Sequence, residues 1–150
     1  MQNNFGFYFS DIARLLRKRF DAAARSDGMT GAQSRVLAVI AQQPGINQGQ
    51  LAERLDVEPI TVCRMIDRME QAGLVERRPD PHDRRARLLY PAAHAEELIA
   101  QLEAHARRLI AAMTENIGEE DRARLETLLN TIRANLLNDA LFTAMEPANG

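Results

Sequence analysis

The chain has a single cysteine, Cys63, so no intramolecular disulfide can form and a reducing compartment is expected. Its longest apolar runs are only a few residues, too short to span a membrane. The opening segment MQNNFGFYFSDIARLL lacks the basic-then-apolar order of a secretory signal, which predicts the cytoplasm. Catalytic signatures are missing as well: there is no glycine-rich phosphate loop, no G-x-S-x-G and no H-E-x-x-H. His82, His94 and His105 are scattered and share no ligand spacing with Cys63, so neither a metal nor a cofactor is expected. These absences argue against an enzyme. Lysine is nearly missing too: of nineteen bases only Lys18 is one.

What is present is a folded-protein composition, with 45% hydrophobic and 27% charged residues over 150 positions. That length suits one domain with helical extensions. The net charge of −2 conceals segregation. Residues 1–26 carry five bases against two acids, and residues 77–87 carry five arginines against two aspartates. Residues 96–146 reverse the balance, with ten acids against five bases. A weakly acidic protein can therefore still offer a positive face to phosphate.

Apolar periodicity predicts a mainly α fold with a small β-hairpin. A first helix runs from about Phe7 to Ser26, and Asp27-Gly28 ends it. Thr30, with Gln33 at capping-box spacing, starts a second helix that Gln43-Pro44-Gly45 stops. The segment INQGQLAERL, Ile46 to Leu55, reads as a third helix in which Asn47 and Gln50 form another capping box. A turn over Asp56 to Pro59 leads to ITVCRMIDRMEQAG, Ile60 to Gly73, with proline suited to the start and glycine to the end. Then LVERRPDPHDRRARLLYP presents two short strands around a Pro/Asp-rich turn. Helix, tight turn, helix and basic hairpin together predict a winged helix-turn-helix over residues 30–94, whose second helix enters a DNA major groove. A long helix over 95–117 and a last one over Glu119 to Asp139 complete the chain.

The terminal segments, 1–29 and 95–146, carry stripes that a lone chain leaves uncovered. Phe5, Phe7, Leu109 and Met113, then Leu125, Leu128, Ile132 and Leu136, are the expected dimerisation residues. A second copy of the chain would cover them and pair two reading heads on a palindromic operator.

Within the reading head, Leu51, Ala52, Leu55, Val62, Ile66 and Met69 are expected to face inward. Ile60, Thr61, Arg64 and Arg68 then face outward, with Cys63 and Asp67 flanking them. Arg64 can bridge guanine O6 and N7, whereas Thr61 and the edge of Ile60 can meet a thymine methyl. Arg68 lies a turn further on and suits a phosphate. Gln48 and Pro59, at the two helix starts, join the expected DNA contacts. Arg84, Arg85 and Arg87 follow the wing tip, where guanidinium suits a narrow minor groove. Asp83 and Asp67 would orient the arginines through pre-formed ion pairs, although plain solvated charge explains each nearly as well.

In "LAERL", "RMIDRMEQAGLVERR" and "DPHDRRA", in that order and spacing, the chain resembles the MarR family of bacterial transcription regulators. The likeness extends upstream through MTGAQSRVLAVIAQQPG, and loosely to the arms. The resemblance implies a roughly triangular obligate homodimer with interlocked terminal helices, a recognition helix on a palindrome, and Arg85 inserted by the wing. It also implies repression that a small, often aromatic, ligand relieves from a cleft between arms and winged domain. Phe9, Ile12, Ala13 and Leu16 of the first helix would line that cleft, with facing parts of the second and fifth helices. Two departures stand out. Leu89-Tyr90-Pro91-Ala92-Ala93 replaces the family's usual Leu-Thr and glycine after the wing, and Asp56 occupies a turn position where glycine is common.

Two rival readings remain at this level. Cys63 on the DNA-facing helix could switch binding if oxidised, although family members that sense peroxide place their thiol in the first helix. Alternatively the chain is a helical interaction module that no longer binds DNA.

Overall fold

The computed structural model describes residues 4–142, mainly helical with a small three-stranded antiparallel sheet. The chain divides into two compact units, Met1–Leu109 and Ile110–Gly150. The first unit begins with α1 (Phe5–Ser26) and α2 (Gly31–Gln42). Thr30 Oγ1 accepts the Gln33 N–H at 3.1 Å and Gln33 Oε1 accepts the Thr30 N–H at 3.0 Å, so the expected capping box starts α2.

The next helix departs from expectation at its start. Ile46 and Asn47 form a short strand, β1, and α3 is confined to Gln48–Leu55. The Asn47–Gln50 capping box closes as expected, at 2.9 and 3.1 Å. Ile46 is extended because the preceding Gly45 turns the chain at φ +89 and donates its N–H to the Leu89 carbonyl at 2.8 Å. That brings β1 to the open edge of the wing, whose backbone groups it satisfies. A Cβ on Gly45 would lie 3.1 Å from the Tyr90 hydroxyl, so the turn is tight as well as left-handed.

Asp56, the residue between α3 and α4, adopts φ 52 and ψ 50, the left-handed conformation that its position at the tight turn demands. Helix α4 (Pro59–Gln71) starts with proline in its first turn and is followed by Gly73 at φ +71. The wing strands β2 (Val75–Pro79) and β3 (Arg87–Pro91) pair antiparallel, with Arg77 opposite Leu89. Sheet order is β1-β3-β2, and the expected two-stranded hairpin is therefore the outer part of a three-stranded sheet.

One core holds these elements together. Leu37 and Ile40 of α2, Leu51 of α3, Ile66 and Met69 of α4, and Ile46 and Leu89 of the sheet are fully buried. Their stripes repeat at helical or strand period, so every element contributes its apolar face to a single interior. The chain leaves β3 through a 3₁₀ turn (Ala93–Ala95) into α5 (Glu96–Met113).

Helix α5 ends four residues before the expected Ile117. Asn116 takes φ 63, a conformation asparagine tolerates, and this terminates the helical path before Gly118 is reached. Arg122 of α6 (Glu119–Leu136) then donates to the freed carbonyls, from Nε to Ile117 at 2.8 Å and from Nη2 to Thr114 at 2.9 Å. Helix α6 ends three residues before the expected Asp139, which instead opens a separate 3₁₀ turn, Asp139–Leu141. The anticipated arm boundary at 146 lies outside the described residues. Among the described residues no helix is long and apolar enough to cross a membrane.

Candidate nucleic-acid interface

Helix α4 separates its faces as its periodicity requires. Val62, Ile66 and Met69 are buried, while Pro59, Ile60, Thr61, Arg64 and Arg68 are exposed and Cys63 is half-buried. Among the described residues, no hydrogen bond or ion pair engages the guanidinium groups of Arg64, Arg68, Arg84 or Arg85. Four solvated forks uncommitted to any internal acceptor are available to phosphate oxygens or base edges. Arg87 differs: its Nη1 donates to the carbonyls of Arg84 and Ala86, at 3.3 and 3.2 Å. It therefore braces the wing turn from within.

The wing tip is shaped by its two aspartates. Asp80 Oδ1 accepts the His82 N–H at 2.8 Å, and Asp83 Oδ1 accepts the Arg85 N–H at 2.9 Å. Both are local side-chain-to-backbone turns of the kind aspartate favours. The ion pair expected between Asp83 and a wing guanidinium is replaced by this backbone contact. A carboxylate two residues away reaches the N–H more readily than it reaches the end of a long, solvated arginine.

Asp67 does form an ion pair, but with a residue the sequence did not single out. Arg77 of β2 donates from Nη2 to Asp67 Oδ1 at 2.6 Å and from Nη1 to Glu70 Oε2 at 2.5 Å. Its Nε donates to Gln48 Oε1 at 3.2 Å, so the expected DNA contact Gln48 is already tied to the wing strand. Burial lowers the Arg77 pKa, but the hydrogen bonds it donates to Asp67 and Glu70, reinforced by their charges, raise it above its ordinary value. The only sequence trace of this group is the i, i+3 spacing of Asp67 and Glu70 on one face of α4. Arg78, next along, pairs with Glu76 and lies 4.1 Å over the Tyr90 ring.

A cleft of about 420 Å³ opens between α1, α2 and α5 within the first unit. Phe20, Val39, Leu55, Ile99 and Leu102 give it an apolar lining. Arg17, Arg35, Glu103 and His105 add charge and polarity. Arg35 is paired with Asp21 at 2.5 Å, and His105 Nδ1 lies 3.1 Å from Asp27 Oδ2. The expected lining residues Phe9, Ile12, Ala13 and Leu16 do not border it. Helix α1 first contributes at Arg17, one residue past Leu16 and a turn or more past Phe9, Ile12 and Ala13, where its stripe meets α2; Phe9, Ile12 and Ala13 are exposed and Leu16 is half-buried.

Most expected dimerisation residues are also uncovered. Phe5 and Phe7 on α1 are exposed and Leu109 of α5 is half-buried. In the second unit Met113, Leu125, Leu128, Ile132 and Leu136 are exposed, as is Leu129. Among the described residues no cluster of His, Cys, Asp or Glu is placed to hold a metal ion.

Residues 27–86 match the sequence profile of the MarR family. The HTH-type transcriptional regulator YybA of Bacillus subtilis is 25% identical over 128 residues, covering 85% of this chain and 85% of its own length. MarR from E. coli superposes with a TM-score of 0.72 at 26% identity, covering 85% of this chain and 94% of that one. A Listeria monocytogenes protein solved complexed with a 26mer DNA shares the fold, with a TM-score of 0.81 at 20% identity, over 100% of this chain and 99% of that one.

Proposed function

We propose that the chain is a MarR-family transcriptional regulator, a homodimeric repressor of a palindromic operator, a reading supported by the profile match over residues 27–86 and by the likeness to YybA and to MarR of E. coli. One observation carries the DNA-binding geometry. Helix α4 and the wing tip expose four arginines without partners among the described residues, although the chain as a whole is slightly acidic. Arg64, with Thr61 and Ile60 beside it, reads base edges in the major groove. Arg68 holds a phosphate, and Arg85 and Arg84 enter or flank the minor groove, where negative potential favours guanidinium. The similarly folded Listeria protein was solved complexed with a 26mer DNA, which supports the same partner here.

The exposed leucine stripe of α6 supports a second copy of the chain as its cover. Paired heads then meet half-sites about one helical turn, roughly 34 to 36 Å, apart. The apolar cleft between α1, α2 and α5 takes a small, largely apolar effector whose binding alters the spacing of the heads. The site of action is the cytoplasm.

Salt titration tests the reading against a helical module that ignores DNA. Affinity for a duplex selected from a random library falls roughly 10³-fold or more between about 50 and 200 mM salt if several phosphates are neutralised. No binding at low salt ends the proposal.

A further inference from the structure

Arg77 is half-hidden under the reading head, with its side chain only 17% exposed. Each of its three guanidinium nitrogens has its own acceptor, and the three acceptors lie on two different helices. Its backbone N–H also donates to Glu70, at 3.3 Å to Oε1, so that carboxylate grips both ends of the residue. A single wing-strand side chain thus joins α3 through Gln48 and α4 through Asp67 and Glu70. Lysine, with one nitrogen and no planar fork, cannot make this arrangement.

The acceptors are costly where they stand. Asp67 and Glu70 remain 54% and 42% exposed on the helix that carries Arg64 and Arg68. Two carboxylates on that helix repel an approaching polyanion, so Coulomb forces alone favour their removal. Gln48 gains a direction from the same group. With Oε1 held by Arg77, its amide Nε2 is the end left without an acceptor among the described residues.

We propose that Arg77, with Asp67 and Glu70, is a positioning clamp that sets the wing against the recognition helix and aims Gln48 at the DNA backbone. The proposal rests on the DNA-binding reading above. Arg77 itself touches no phosphate. Its contribution is to hold α4 and the wing at the separation that two adjacent grooves require, sparing the ordering cost on binding.

The test uses the full chain and a duplex selected from a random library by the unmodified protein. Asp67→Asn removes a negative charge and nearly preserves shape, yet the clamp requires it to bind more weakly. About tenfold is expected, the middle of the range for residues coupled in one hydrogen-bond network. Arg77→Met weakens binding similarly while the slope of log affinity against log salt stays unchanged. A lost phosphate contact would instead reduce that slope by about 1. In the Arg77→Met background, Arg85→Ala costs clearly less than in the unmodified chain, because an unheld wing no longer delivers Arg85.

Equal or tighter binding by Asp67→Asn overturns the clamp while leaving DNA binding intact. So does a salt slope reduced by Arg77→Met. If Arg77→Met does not fold, the exposed Asp67→Asn and Glu70→Gln variants carry the test through the sign of their effect. Failure of the unmodified chain to bind any duplex removes the clamp and the DNA-binding reading together.

Discussion

The carboxylate of Asp83 accepts the backbone N–H of Arg85 at 2.9 Å, so an acidic residue sets the backbone that presents a wing-tip arginine. A carboxylate at a DNA-facing tip repels phosphate, but here it also restricts the turn. Asp83→Ala is expected to weaken operator binding about threefold to tenfold despite the more favourable net charge, matching the loss of about one hydrogen bond. Asp83→Asn, whose amide oxygen can accept the same N–H, is expected to retain most affinity. Fluorescence anisotropy at matched salt checks both, and tighter binding by the alanine variant would refute the turn's role.

Arg64 and Arg68 differ in what their loss should do. Arg64→Ala is expected to cost roughly 1 to 3 kcal/mol and to blur preference at one base pair. Arg68→Ala should weaken all sequences alike and lower the salt slope by about 1. Selection of bound duplexes, followed by salt titration of each variant, separates the two outcomes.

The α6 stripe provides a test of assembly. Leu128 and Ile132 are 52% and 38% exposed within the chain, so a charge at either is tolerated by a single protomer. The double variant Leu128→Asp, Ile132→Asp is expected to sediment as a monomer and to lose operator affinity by about 10²-fold or more, because two linked heads no longer bind together. A dimer that persists in this variant would place the interface elsewhere.

Asp56 stores a little backbone strain at φ 52 between the two helices of the reading head. Asp56→Gly relieves the contact between Cβ and the carbonyl, and is expected to stabilise the fold by up to about 1 kcal/mol. Chemical denaturation measures it. The opposite sign would mean that aspartate limits the unfolded chain more than it strains the folded one.

Local features were legible in the chain. Thr30–Gln33 and Asn47–Gln50 close capping boxes at three-residue spacing, Pro59 opens α4, and the apolar period of Val62, Ile66 and Met69 names its buried side. The order of helix, tight turn, helix and basic hairpin was enough to assign a winged helix-turn-helix. Each of these depends on residues within one or two turns of one another, where spacing and side-chain chemistry decide the hydrogen bond.

Tertiary structure decided the rest. Ile46-Asn47 became a strand because β3, more than forty residues later, offered an open edge, and a two-residue segment carries no period of its own. Asp67 found Arg77 ten residues away, and Gln48 found it across twenty-nine, through the folding of β2 beneath both helices. The observed cleft borders α1 from Arg17 to Ala23 because the apolar stripe runs the length of that helix, while α2 and α5 meet only part of it. A stripe in the chain names a face. Which stretch of that face is buried depends on where its neighbours end, and that is a property of the packed molecule alone.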